Sequence, residues 1–170
     1  MLTFFAQPYD LDAKGFYFST FKEYEEKVKM CINSFGGPVE EFEILPIDGK
    51  DDEIEILKAS KVDQCNLEDV LNFLEGASEE DIVNMFFLMD NLNLTFEDAI
   101  DKKDEPNIQK GKTFDAAVEI FDEMYLSSIP EGARNYIDYD SFAHDLRMGG
   151  DVTEFEFNGT THVCTNSNDL

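Results

Sequence analysis

The imbalance between 38 acidic and 13 basic side chains constrains this chain more than any other feature, because a net charge of −25 must be folded into 170 residues. Self-repulsion on that scale opposes compaction, most strongly at low ionic strength. It also exceeds what a small domain needs for solubility. Three uses would account for it: adaptation to high salt, cation binding, or imitation of a polyanion. Duplex DNA carries one negative charge per about 1.7 Å of axis, so this net charge corresponds to roughly 40 Å of duplex, about 12 base pairs. A partner for such a chain is expected to be basic. Nucleic acid and anionic membrane are not expected as ligands, since both would be repelled.

The chain nevertheless has the means to fold. Hydrophobic residues make up 42% of it, and 16 of its residues are Phe, which sets it apart from a disordered acidic tail. Its length suits one to three small domains. Cys31, Cys65 and Cys164 are odd in number and far apart, so no disulfide framework is expected. Buried free thiols in a reducing, cytoplasmic setting are the expectation. The opening MLTFFAQPYD lacks the basic region and long apolar stretch of a signal peptide, and no run approaches a membrane span.

Charge is distributed unevenly: the net values are −1 for residues 1–37, −16 for 38–105 and −8 for 106–170. The first part reads as a strand near Leu2–Gln7, a second near Gly15–Phe18, and a helix entered at Thr20, with Glu23 at capping-box spacing. Phe21, Tyr24, Val28 and Ile32 would form its apolar face, with Gly36, Gly37 and Pro38 stopping it. The alternation Glu41-Phe42-Glu43-Ile44, continuing to Ile47, predicts a half-buried strand before Asp48-Gly49.

From Asp51 the pattern changes to short helices starting at Asp51 or Asp52, Asn66, Ser78 and Thr95. Val70, Phe73, Leu74, Ile82, Met85, Phe86 and Met89 are the expected core of this helical part. A further helix begins at Thr113, with core packing expected through Phe114, Val118, Phe121 and Tyr125. Pro130-Glu131 opens a short turn or helix, and Asp138 caps a helix ending at Gly149-Gly150. Glu154–Phe157, Asn158-Gly159 and Thr160–Cys164 read as a hairpin closed by a type I′ turn. The fold class is α+β. The expected organisation is an elongated chain of three small domains: 1–60, a small antiparallel sheet with a helix; 61–105, helical and acidic; and 106–170, mixed and ending in the hairpin.

No catalytic constellation stands out. With so many carboxylates, pairs at glycosidase spacing arise by chance. His144 and His162 sit in no nucleophile or metal-ligand motif and are expected as surface or cap residues. The stretch from Asp90 has Leu92 and Leu94 where a calcium loop needs oxygen ligands. Gly36-Gly37 and Gly149-Gly150 fit no phosphate cradle. The chain is therefore expected to need no cofactor or metal and to carry out no catalysis.

What remains is carboxylate held on rigid elements. The candidate partner-binding acids are Glu68, Asp69, Glu75, Glu79, Glu80, Asp81, Glu97, Asp98, Asp101, Asp115, Glu119, Asp122 and Glu123. Each alone reads as a solvated surface residue; as a set they can match a groove of Lys and Arg built for phosphates.

The stretch IPEGARNYIDYDSFAHDLRMGGDVTEFEFNGTTHVCTN resembles the antirestriction family ArdA, as do FYFSTFKEYEEK, EEFEILPIDG and MFFLMDNLNLTFEDAI, in the same order. The resemblance implies an elongated, dimeric mimic of B-form DNA in three successive domains. Such proteins are carried by phages or mobile elements and occupy the DNA-binding groove of type I restriction-modification enzymes in the host cytoplasm. It also implies that the segment from Asp115 to Ser128 is the family's acidic antirestriction segment, with Asp115, Glu119, Asp122 and Glu123 as its charges. The same mimicry aimed at a CRISPR effector or another defence protein, and a halophilic protein without mimicry, are the alternatives.

Overall fold

The computed structural model describes all residues from Met1 to Leu170 and divides into two compact units, Met1–Ile100 and Asp101–Leu170. The first begins with an antiparallel sheet in the order β2-β1-β3, formed by β1 (Thr3–Pro8), β2 (Phe16–Phe18) and β3 (Phe42–Asp48). Alternation along β1 sends Phe4 and Ala6 inward, both fully buried. Phe4 stacks on Phe18 with centroids 5.0 Å apart, and Tyr24 lies 5.0 Å from Phe18. Each such pair is worth about 0.5–1.5 kcal/mol beyond the area it buries. This aromatic layer seats α1 (Phe21–Met30) on the sheet.

Thr20 caps α1 as its sequence predicts, accepting from the Glu23 N–H at 3.2 Å. Glu23 reaches one residue further back than a capping box requires, to the Ser19 N–H at 2.8 Å. The helix ends at Met30, so Ile32 does not extend its apolar face; it is 62% exposed and forms a β-bridge with Pro38. The cause is Asn33, whose Oδ1 accepts from the N–H groups of Phe35 and Gly37 at 3.0 and 2.8 Å and so offers the backbone a turn in place of another helical one.

Helices α2 (Asp51–Ala59), α3 (Leu67–Gly76) and α4 (Glu79–Phe86) follow, α4 running on through a wider π-helical turn, Phe87–Asn91. Ile82 to Met89 are all buried, so this segment forms the centre of the unit. Val70, Ile82, Met85, Phe86 and Met89 are buried as expected, joined by Leu67, Phe87 and Leu88, while Phe73 and Leu74 are half-buried. Ser78 and Asp81 close a capping box on α4 through mutual bonds of 3.1 and 2.9 Å. Helix α5 (Phe96–Lys102), capped by Thr95, spans the division between the units.

The second unit holds a sheet in the order β4-β6-β5, from β4 (Ile108–Lys110), β5 (Thr153–Phe157) and β6 (Thr160–Cys164), with α6 (Thr113–Met124) and α7 (Tyr139–Gly149). The hairpin β5–β6 is closed by Asn158 and Gly159, with φ of +50° and +71°, the left-handed pair a type I′ turn needs. A 3₁₀ segment, Glu131–Tyr136, follows Pro130, and α7 runs from its Asp138 cap to Gly150 at φ +80°.

The face of α6 turned to the core is not the expected one. Ala116 and Ala117 are fully buried and Ile120 packs on a cluster of Ala116, Val152 and Val163, whereas Phe114 and Tyr125 are each 43% exposed. Small residues let the helix approach the sheet closely. Phe121 packs sideways instead, with Phe142 and Tyr139 of α7 at 5.1 and 5.3 Å.

Candidate acidic interface

The candidate carboxylates fall on four helices: Glu68, Asp69 and Glu75 on α3; Glu79, Glu80 and Asp81 on α4; Glu97, Asp98 and Asp101 on α5; Asp115, Glu119, Asp122 and Glu123 on α6. All are exposed except Asp81 and Asp122, which are half-buried. Unit by unit, the net charge is −16 for Met1–Ile100 and −9 for Asp101–Leu170. No Lys or Arg occurs from Val62 to Asp101, nor from Thr113 to Ala133.

Position along each helix separates two kinds of acid. Glu68, Asp69, Glu79, Glu80, Asp81, Glu97, Asp98 and Asp115 lie in first turns, where the helix dipole favours a negative charge. Local stability accounts for these without any partner. Glu75, Asp101, Asp122 and Glu123 lie in last turns, where the same dipole opposes them, and α3 and α6 have no basic residue in that turn to compensate. Of these four only Asp122 gains a hydrogen bond within the chain; Glu75, Asp101 and Glu123 bring folding no such return.

Their hydrogen bonds separate them again. Asp81 and Asp98 serve Ser78 and Thr95, Asp115 accepts from the Lys112 N–H at 3.3 Å, and Glu119 from the Gln109 side chain at 3.3 Å. Asp122 accepts a 2.6 Å bond from the Tyr139 hydroxyl, and that bond holds the phenol's pKa above its ordinary value. Glu68, Asp69, Glu75, Glu80, Glu97, Asp101 and Glu123 take part in no hydrogen bond or ion pair within the chain, leaving their charges to solvent or a partner.

On α6 the acids form a stripe. Asp115, Glu119, Asp122 and Glu123 fall within about a third of the helical circumference and span about 12 Å of axis at 1.5 Å per residue. That is one charge per about 3–4 Å, close to the roughly 3.4 Å per phosphate along one strand of B-DNA. The segment implied by the family resemblance ends beyond this helix, in a 3₁₀ turn at Leu126–Ser128.

Both histidine expectations can be tested against burial. His144 is exposed on α7. His162 is not a surface or cap residue: it is 4% exposed, stacked on Phe155 at 5.5 Å, its Nδ1 3.0 Å from the Thr160 carbonyl oxygen and its Nε2 buried without a partner. Strand β6 is the middle strand of its sheet, which sets His162 between Lys110 of β4 and Phe155 of β5, and the imidazole packs there as an aromatic ring. Of the three free cysteines expected as buried, only Cys164 is; Cys31 is half-buried and Cys65 exposed. Residue type alone does not register that Cys65 stands in the turn before α3. No group of three or more His, Cys, Asp or Glu side chains is arranged to hold a metal ion, and no helix is long and apolar enough to cross a membrane.

One feature of the acidic helices escapes local sequence patterns. A cavity of about 700 Å³ opens between α3 and α5, its walls drawn from residues some thirty positions apart, among them Asp69, Asn72, Phe73, Phe96 and Glu97. Only the tertiary packing of the two helices creates it.

No curated relative matches the chain. The family model described as "Antirestriction protein (ArdA)" matches residues 5–159, a span that takes in all four acidic helices and every strand except β6, entering β1 at Phe5. A match over nine-tenths of the length, on a fold whose acids stand outward on helices, places the chain in the ArdA family of antirestriction proteins.

Proposed function

We propose that this antirestriction protein acts by imitating B-form DNA: it occupies the DNA-binding groove of a type I restriction-modification enzyme as a competitive inhibitor and performs no catalysis. The observation that carries this reading is the set of carboxylates at helix C-termini, Glu75, Asp101 and Glu123, which no base in the chain satisfies and the helix dipoles oppose. A basic groove supplies what the fold does not. The charge spacing along α6 supports the same reading. The active form is a homodimer in the bacterial cytoplasm, since two copies would double the length of duplex imitated to about 24 base pairs. The three-part organisation, with boundaries after residues 60 and 105, belongs to the proposal; the turn at Lys61, with φ of +49°, is compatible with the first of them.

The test is competition. Titrating the protein into a type I enzyme bound to labelled DNA, at low and at moderate salt, should release the DNA, less effectively as salt rises. A variant with Glu75, Asp101 and Glu123, which serve no cap, reversed to Lys should release little. Equal potency of that variant, or potency indifferent to salt, would overturn the mimicry. Release from a CRISPR effector but not from the type I enzyme would keep the mimicry and reassign the target.

A further inference from the structure

The cavity between α3 and α5 has a composition that phosphate imitation alone does not call for. Phe73 and Phe96 meet edge to face at its floor, centroids 6.0 Å apart. Asp69, Asn72 and Glu97 stand at its walls, and none of the three makes a hydrogen bond or ion pair within the chain. No basic residue lies anywhere between Val62 and Asp101 to reach into it. It therefore combines two unpaired carboxylates and a free amide, all exposed, with the edges of the half-buried Phe73 and the buried Phe96 in an open space of about 700 Å³.

We infer that this cavity receives an arginine side chain of the target enzyme. The inference deepens the proposed mimicry, on which it rests. A guanidinium is planar, always charged, able to bond a carboxylate through two parallel N–H groups and to lie against an aromatic ring. Lysine has neither the plane nor the fork, and an uncharged apolar group would leave both carboxylates unmet. In a DNA-binding groove such an arginine faces phosphate, which offers charge but no ring. The cavity thus gives the mimic a contact that a phosphate lacks, an aromatic face beside the paired charges. It behaves as a hot spot inside a broad electrostatic surface.

Asn72→Trp fills the cavity and leaves the net charge untouched, so a purely electrostatic surface would be indifferent to it. In the competition assay with a type I enzyme and labelled DNA, the variant is expected to lose roughly tenfold in potency at both salt concentrations, the scale of one hot-spot contact. In the same complexes Cys65, exposed at the cavity's rim, should be protected from alkylation, read site by site by mass spectrometry. If Asn72→Trp releases DNA as well as the parent does and Cys65 reacts as fast bound as free, the arginine site is overturned while the mimicry stands. If neither protein releases DNA, both fall. Should the tryptophan variant melt below the parent, Glu97→Gln, which keeps the shape and removes one charge, replaces it against Glu80→Gln as a charge-matched control; equal losses would overturn the site.

Discussion

Asp138 shows how a single carboxylate can serve the fold. Its side chain accepts from the Ser141 N–H at 3.0 Å and the Ser141 hydroxyl at 2.8 Å, and these bonds, the backbone one first, hold its pKa below the ordinary carboxylate value. A depressed folded pKa contributes stability that is fully present above the unfolded value, near 4, and disappears as pH falls through the folded one. Asp138→Ala is therefore expected to melt below the parent at neutral pH, with the gap narrowing under pH 4; melting curves of both proteins across pH 2–7 measure it. Taking the difference matters, because protonating the other carboxylates relieves repulsion and shifts both curves alike. A gap that stays constant would mean the cap, not its charge, is what α7 needs. His162 is the opposite kind of residue: its burial comes from β6 having neighbours on both sides, which no window of sequence around Thr160–Cys164 states.

Helices with a side-chain cap could be read directly. Thr20, Ser78, Thr95 and Asp138 all stand where their spacing places them, because an N-cap is a local bond between residues three apart. Faces were harder. On α6 the aromatic residues suggested the core, yet alanines hold it, since what decides is the distance to a sheet whose strands lie some forty residues away. Strand β4 went unseen for a related reason: three residues have no periodicity, and only pairing with β6 makes Ile108–Lys110 extended. The acidic surface was legible as a set because it depends on composition along helices; the α3–α5 cavity was not. The division of acids by helix end carries its own prediction. Glu75→Lys and Glu123→Lys each replace an opposed charge with a favoured one, so each should raise stability by about 0.5 kcal/mol through the dipole. Together they should raise the melting temperature by about 2–4 °C while weakening release of DNA from the enzyme. A variant that loses both stability and potency would show that these acids support the fold after all.

For the whole molecule, two compact units are observed, and within the first the helix α2 packs against both β3 and α4. The proposed three-part organisation adds a boundary inside that unit, near Lys61. Limited digestion with a protease of broad specificity discriminates: early cuts near residue 60 as well as near 100–106 support three parts, whereas cuts confined to 100–106 reduce the plan to two. Raising salt during digestion should slow both, because screening removes repulsion that the folded state bears more than the extended chain.

The absence of Lys and Arg between Val62 and Asp101 also means that this stretch contains no primary amine. Amine-reactive dyes, biotin esters and amine-coupled sensor chips can therefore attach only through other segments, such as the seven lysines from Lys14 to Lys61. Immobilised by that chemistry, α3 and α4 stay chemically untouched, and a protein studied for what it binds is tethered by residues outside them.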